Sequence, residues 1–153
     1  MPTSKRSFAK RAGAEVWATV AGADVEYVRG LGADHVIDYQ TQRLEDIVQD
    51  VDLVLDYVGG EVLDRSWQVL AQGGAIVGTT SPDILARTPA GYRGLWFINK
   101  PDATLLQTLA ADIVAGTLQS KVSEVVGFTG IPAAIERNRT EARSGKVVAD
   151  FSR

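Results

Sequence analysis

A chain of 153 residues, 45% apolar and 23% charged, is long enough for one buried core and too mixed in character for a disordered or membrane-spanning polypeptide. Its net charge of -3 gives no broad attraction to phosphate backbones, and its apolar runs fall far short of the ~20 residues that cross a bilayer, so neither nucleic acid nor membrane is an expected partner. With no cysteine and a single histidine, His35, the chain has no thiolate nucleophile, no cysteine-ligated zinc and no second imidazole for a metal or a triad.

Short β-branched runs alternate with stretches of helical spacing, the pattern of a parallel sheet covered by helices. The basic start, with Lys5, Arg6, Lys10 and Arg11, lacks the apolar segment and cleavage site of a secretory signal, and a cytoplasmic location is expected. Ser4 to Ala12 reads as a short helix stopped by Gly13, followed by a strand from Glu15 to Val20. A helix from Asp24 to Leu31 then ends at Gly32. His35 to Asp38 is a short strand, and the helix after it is expected to bury Leu44, Ile47 and Val48. Val51 to Val58 reads as a central strand covered on both faces, turned sharply by Gly59-Gly60. Leu63, Trp67 and Leu70 lie on one stripe of a helix from Glu61 to Leu70, and Gly73-Gly74 opens a strand from Ala75 to Thr79.

From Ser81 to Arg93 the periodicity gives way to a loop with at most one helical turn. Leu95 to Ile98 reads as a strand, and Asp102 to Ala115 as a helix that buries Leu105, Leu106, Leu109 and Ile113 before Gly116. Val122 to Phe128, a helix from Pro132 to Arg143 and a final strand from Lys146 to Phe151 complete the chain. The fold class is therefore α/β: a Rossmann-like, mostly parallel sheet with helices on both faces.

In such sheets ligands bind beyond the carboxyl ends of the strands. That rule singles out Ala21 to Asp24, Tyr39 to Thr41, Val58 to Gly60, Thr79 to Ser81 and Asn99 to Asp102. A glycine-rich phosphate loop between a first strand and first helix is not found, and Gly59-Gly60 reads as a tight turn rather than a substitute. Asp24 could bond an adenosine ribose and repel a 2′-phosphate, or could cap the helix it precedes. Tyr39 could pack on an adenine or cover the sheet edge. Asp56, costly to bury alone, is expected to accept backbone N–H groups of neighbouring turns. His35 reads as a surface or satisfied structural histidine, and Trp17, Trp67 and Trp96 as packing residues.

Several segments together resemble a known family: KRAGAEVWATV from Lys10 to Val20, LGADHVIDY from Leu31 to Tyr39, VDLVLDYVGG from Val51 to Gly60, GGAIVGT from Gly73 to Thr79, and GKVV from Gly145 to Val148. They look like successive signature segments of the cofactor-binding part of the medium-chain dehydrogenase/reductase superfamily, in its zinc-independent, quinone oxidoreductase-like branch. The resemblance implies an NADP or NAD cofactor and no zinc. It would place Tyr39 near the adenosine phosphate and Val58 with Gly59 near the ribose, and where relatives that prefer NADPH often carry Lys or Asn this chain has Asp24; Ala21 is a candidate by the strand-end rule. Gly78, Thr79, Phe97, Ile98 and Asn99 would line the nicotinamide side.

Members of that superfamily carry a substrate domain, a strand and the glycine-rich turn ahead of these segments. On this reading residues 1–153 are a single truncated cofactor-binding domain without a substrate domain. No catalytic residue is assigned, cofactor binding is expected to be weak, and the chain alone is expected not to turn over substrate. The resemblance also implies a homodimer through an edge strand from Leu95 to Ile98, and a missing catalytic domain as a partner. The alternative is a non-catalytic dimerisation or binding module that retains the fold.

Overall fold

In a computed structural model of the chain, residues 8–141 and 144–152 are described. In chain order the elements are α1 (Phe8–Arg11), β1 (Trp17–Val20), α2 (Val25–Gly30), β2 (His35–Asp38), β3 (Val51–Asp56), α3 (Gly60–Ser66) and β4 (Leu70–Gly78). They continue with α4 (Asp83–Arg87), β5 (Arg93–Trp96), α5 (Ala103–Val114), β6 (Val122–Gly127), α6 (Ile131–Thr140) and β7 (Lys146–Asp150). The chain divides into two compact units. The first holds Trp17–Val25 and Asp34–Ala103; the second holds the described parts of Met1–Val16, Glu26–Ala33 and Thr104–Arg153.

In the first unit, β1 and β2 run parallel, with Trp17 opposite His35 and Val20 opposite Asp38. β3, β4 and β5 form a parallel ladder with β4 in the middle, and Asp56, Gly78 and Trp96 stand in one row across it. Parallel neighbours cannot be joined by a hairpin, so α3 and α4 are the crossovers that return the chain to the start of the next strand. One core cluster comprises Leu63, Trp67, Leu70, Ile76 and Ile84; a second comprises Ile37, Val48 and Val69. Val54 packs against both, so the two ladders share apolar packing at β3. Trp17 and His35 stack with ring centroids 3.8 Å apart, which accounts for the histidine without a catalytic role.

In the second unit, β6 and β7 pair in parallel, with Val126 opposite Ala149. Arg137 donates to Glu124 at 2.6 Å and Arg11 to Asp112 at 2.8 Å, while the Lys121 ammonium lies 4.4 Å from the Tyr27 ring centre. Among the described residues no helix is long and apolar enough to cross a membrane.

The mixed α/β class with parallel strands and the strand His35–Asp38 agree with the sequence reading. Gly13, Gly32 and Gly116 follow helix ends with positive φ, as helix terminators do. Several expectations are corrected. No α-helix follows β2: Leu44–Asp46 is one 3₁₀ turn, because the turn at Asp38 takes up the chain to Gln42 and few residues remain before Val51. Val48 is buried there, but Ile47 is 42% exposed. The helix ending at Leu70 stops at Ser66; a 3₁₀ turn carries Trp67 to Val69, and Leu70 already belongs to β4. Gly73-Gly74 thus lies inside β4. A Cβ on Gly74 would come within 2.9 Å of Ala71 O, so the missing side chain permits a close backbone approach rather than a strand start.

β3 is an outer strand of its ladder, and Leu53 and Leu55 are about half exposed, because α3 and α4 cover the other face, where Val54 and Ile76 lie. The strand predicted over Leu95 to Ile98 lies two residues earlier, at Arg93–Trp96. On α5, Leu105, Leu106 and Ile113 are exposed rather than buried. Apolar helical spacing shows which residues share a face, not that the face is covered. Residues 4–7 of the first predicted helix, and residues 142–143 of the last, lie outside the described residues.

Three carboxylates are held below their ordinary pKa values. Glu45 is stabilised by its own backbone N–H and then by the Arg43 side chain. Asp112 is stabilised by Arg11 and then Thr117, and Asp150 by the hydroxyl and then the backbone N–H of Ser152. A depressed carboxylate adds stability above its unfolded value, near 4.5 for glutamate and 3.8 for aspartate, and loses it as pH falls through the folded value. Urea midpoints are therefore expected to hold level down to about pH 4.5 and to fall below it. Glu45→Gln should have a lower midpoint at pH 7 and a flatter acid limb, and an unchanged limb would remove Glu45 from this account.

Candidate functional site

Parallel strands end on the same side, and in the first unit the ends of β1 and β2 bring two loops together. The Tyr39 N–H donates to Val20 O at 3.1 Å. Asp38 Oδ1 accepts the Gln40 N–H at 3.0 Å, and a Cβ on Gly22 would lie 2.7 Å from Asp38 Oδ2. The loop after β1 thus rests on the loop after β2 only because residue 22 has no side chain. Ala21 and Tyr39 both stand at this edge, and the Tyr39 ring is 61% exposed. Asp24 is the last residue of the 3₁₀ turn Gly22–Asp24, whose cap position belongs to Ala21.

The ends of β3 and β4 form a second, more enclosed feature. Asp56 is 4% exposed, and its Oδ1 accepts the N–H groups of Val58 at 2.8 Å and Gly59 at 2.9 Å, the bonding its burial required. Gly59 and Gly60 have φ of +76° and +58°, a backbone that side chains rarely adopt, and they swing the chain directly from β3 into α3. A Cβ at Gly59 would lie 2.7 Å from Thr80 Oγ1, so the turn is in close contact with the loop after β4. The backbone O of Asp56 accepts the Thr79 N–H at 3.4 Å.

Between these walls is a cavity of about 160 Å³, bounded among others by Asp56, Gly59, Gly78, Thr80, Ser81 and Arg87. That volume is below the ~300–1,000 Å³ of an ordinary small-molecule pocket and suits one part of a larger ligand. Arg87 at its border pairs with Asp64.

The structure brings Gly59 and Gly78 of the sequence-predicted residues into one cavity. Val58 is anchored there by its N–H, although its side chain is 69% exposed, and Thr79 is tied to Asp56. Phe97, Ile98 and Asn99 leave β5 just beyond the Asp56–Gly78–Trp96 row without lining the cavity. Ala21, Asp24 and Tyr39 belong to the β1–β2 edge. The strand-end rule singles out Thr80 and Ser81 within Thr79 to Ser81, and both line the cavity; sequence reading missed Arg87, because it sits on a helix hidden in an aperiodic stretch. Among the described residues no three His, Cys, Asp or Glu side chains are grouped to hold a metal.

Residues 31–148 match the sequence profile of the family described as zinc-binding dehydrogenase. The chain is 33% identical over 140 residues to the chloroplastic NADPH-dependent alkenal/one oxidoreductase of Arabidopsis thaliana, an alignment covering 88% of this chain and 33% of that protein. It is 30% identical over 137 residues to the 2-methylene-furan-3-one reductase of Solanum lycopersicum, covering 88% and 33%. The quinone oxidoreductase of Coxiella burnetii superposes with a TM-score of 0.84 at 25% identity, over 92% of this chain and 46% of that one. The chain thus spans about a third of the length of these curated relatives.

The contact between Gly59 and Thr80 has a measurable consequence. Gly59→Ala should cost about 1–3 kcal/mol of stability through its positive φ and the collision. In a Thr80→Ala background the cost should shrink toward the φ component alone, and an equal cost in both backgrounds would mean that the two loops are not in contact.

Proposed function

The chain belongs to the zinc-binding dehydrogenase family, in the quinone oxidoreductase-like branch of the medium-chain dehydrogenase/reductase superfamily, and from that premise we propose that it is the nucleotide-cofactor part of an NAD(P)H-dependent reductase of quinones or enones. The observation that carries this reading is the pair of close loop contacts at parallel strand ends, Gly22 on Asp38 and Gly59 on Thr80, with a cavity beside the second. Such backbone-lined strand ends suit a dinucleotide laid across a sheet. In this reading Ala21, Asp24 and Tyr39 hold the adenosine half. Val58, Gly59, Gly78 and Thr79 hold the nicotinamide ribose, with Phe97 to Asn99 beside the ring. A nicotinamide held by these residues would supply hydride chemistry, and their part would be to orient it and shield it from water.

The zinc in the family's description does not fit this chain, which has no cysteine and whose single histidine is stacked on Trp17. No step is therefore routed through a metal. The Asp24 carboxylate opposes a 2′-phosphate, whereas the Arabidopsis relative is named NADPH-dependent, so the two cofactors are best compared directly. A second reading, a dimerisation module, draws on β5 as an outer strand with Leu95, Phe97 and Ile98 about half exposed or more. Two copies of such an edge, related by a two-fold axis, could pair and join two sheets into one.

Titration of the purified chain with NADH and NADPH, read by energy transfer from its tryptophans, should give saturable binding with a Kd between about 10 μM and 1 mM, and no quinone turnover. Absence of saturable binding at millimolar cofactor would overturn the cofactor reading. Sedimentation equilibrium should show a dimer that Leu95→Lys dissociates; a monomer at the highest concentrations would dispose of the edge pairing.

A further inference from the structure

We infer that the β1–β2 edge admits NADH and rejects NADPH, and that Asp38 is the residue that sets this choice. The inference rests on the cofactor reading above, in which the adenosine half lies at this edge, and it says which of the two cofactors the edge takes. They differ only in a 2′-phosphate on the adenosine ribose, and a phosphate of this kind carries a charge of about −1.5 to −2 at pH 7.

Asp38 is the last residue of β2, and its carboxylate has a definite direction. Oδ1 accepts the Gln40 N–H at 3.0 Å, and Oδ2 is turned to the loop after β1, where it stands 2.7 Å from the position of a Cβ on Gly22. Among the described residues Asp38 takes part in no ion pair, so no partner neutralises its charge. A phosphate brought to this loop meets a like charge at close range, where repulsion is strongest.

Binding a 2′-phosphate calls for the opposite, an arginine or lysine at the loop. Residues 21–24 and 38–42 include neither. The next cation along the chain, Arg43, donates from Nε and Nη2 to Glu45 Oε1 at 2.9 and 2.6 Å. The Glu45 side chain is only 9% exposed, so this guanidinium serves to hold a nearly buried carboxylate. The Gly22 N–H, a backbone donor that an anion could use, points to Gln40 Oε1 at 3.4 Å. A 2′-phosphate therefore finds a facing carboxylate, no cation on either loop and the Gly22 amide already directed elsewhere. In this respect the chain departs from the Arabidopsis relative, whose name states dependence on NADPH.

The test is the ratio of the NADPH and NADH dissociation constants of the purified full chain, measured at about 20 mM and about 300 mM salt. NADH should bind about tenfold or more tighter at the lower salt, and the ratio should shrink at the higher one as the repulsion is screened. Asp38→Asn keeps an oxygen for the Gln40 N–H and removes the charge, and it should bring the ratio to about threefold or less. Equal affinity for the two cofactors, or tighter NADPH, would overturn the inference and leave the cofactor reading intact. An unchanged ratio in Asp38→Asn would overturn it as well and hand the choice to Asp24. The salt comparison needs no variant, so a ratio indifferent to salt decides against the inference even if Asp38→Asn folds poorly. Binding of neither cofactor at millimolar concentration would remove the cofactor reading and this inference with it.

Discussion

The Asp56 carboxylate closing on the amides of Val58 and Gly59 is the contact from which the rest of the site follows. A buried carboxylate is tolerated only where donors replace the lost water, and here the replacement is the backbone of the next turn. That requirement bends the chain at once after β3. The bend needs positive φ at residues 59 and 60, which glycine supplies, and α3 starts at Gly60, with only residues 57–59 between it and the end of β3. With the turn held so tightly, the loop after β4 comes to rest on it through Thr80, and the space between them becomes a cavity rather than open solvent.

The register of the ladder carries this local arrangement outward. Asp56, Gly78 and Trp96 stand opposite one another, so the chain leaves all three strands at the same level and three loops open side by side. The lack of a side chain at Gly78 keeps Ile84 close, at 3.3 Å from a Cβ placed there, and Ile84 in turn belongs to the core beneath the cavity. Packing and site thus share residues. The β1–β2 edge repeats the device with different chemistry, a carboxylate at a strand end beside a glycine on the neighbouring loop.

Much of this was legible in the residues themselves. The alternation of β-branched runs and helical stretches gave the parallel α/β class, and an aspartate inside an apolar run pointed to backbone donors, which are there. The signals that misled were of two kinds. Apolar spacing in Leu105, Leu106 and Ile113 reports a shared face but not its cover, and these side chains are open. Stretches of mixed pattern hid short elements: Leu44, Ile47 and Val48 suggest a helix that the chain length before Val51 cannot hold, and α4 lies in a segment broken by prolines and glycine. Arg87 reaches the cavity from α4, a placement that no local pattern encodes.

The central claim is that the strand ends of the first unit are a nucleotide site built on backbone and hydroxyl contacts. The most direct measurement is a crystal structure of the chain grown with NADPH or NADH. The account predicts the nicotinamide ribose beside Gly59, Gly78 and Thr80, and the adenosine half toward Ala21 and Tyr39. Cofactor density lying away from these strand ends, with the cavity filled only by water, would contradict it.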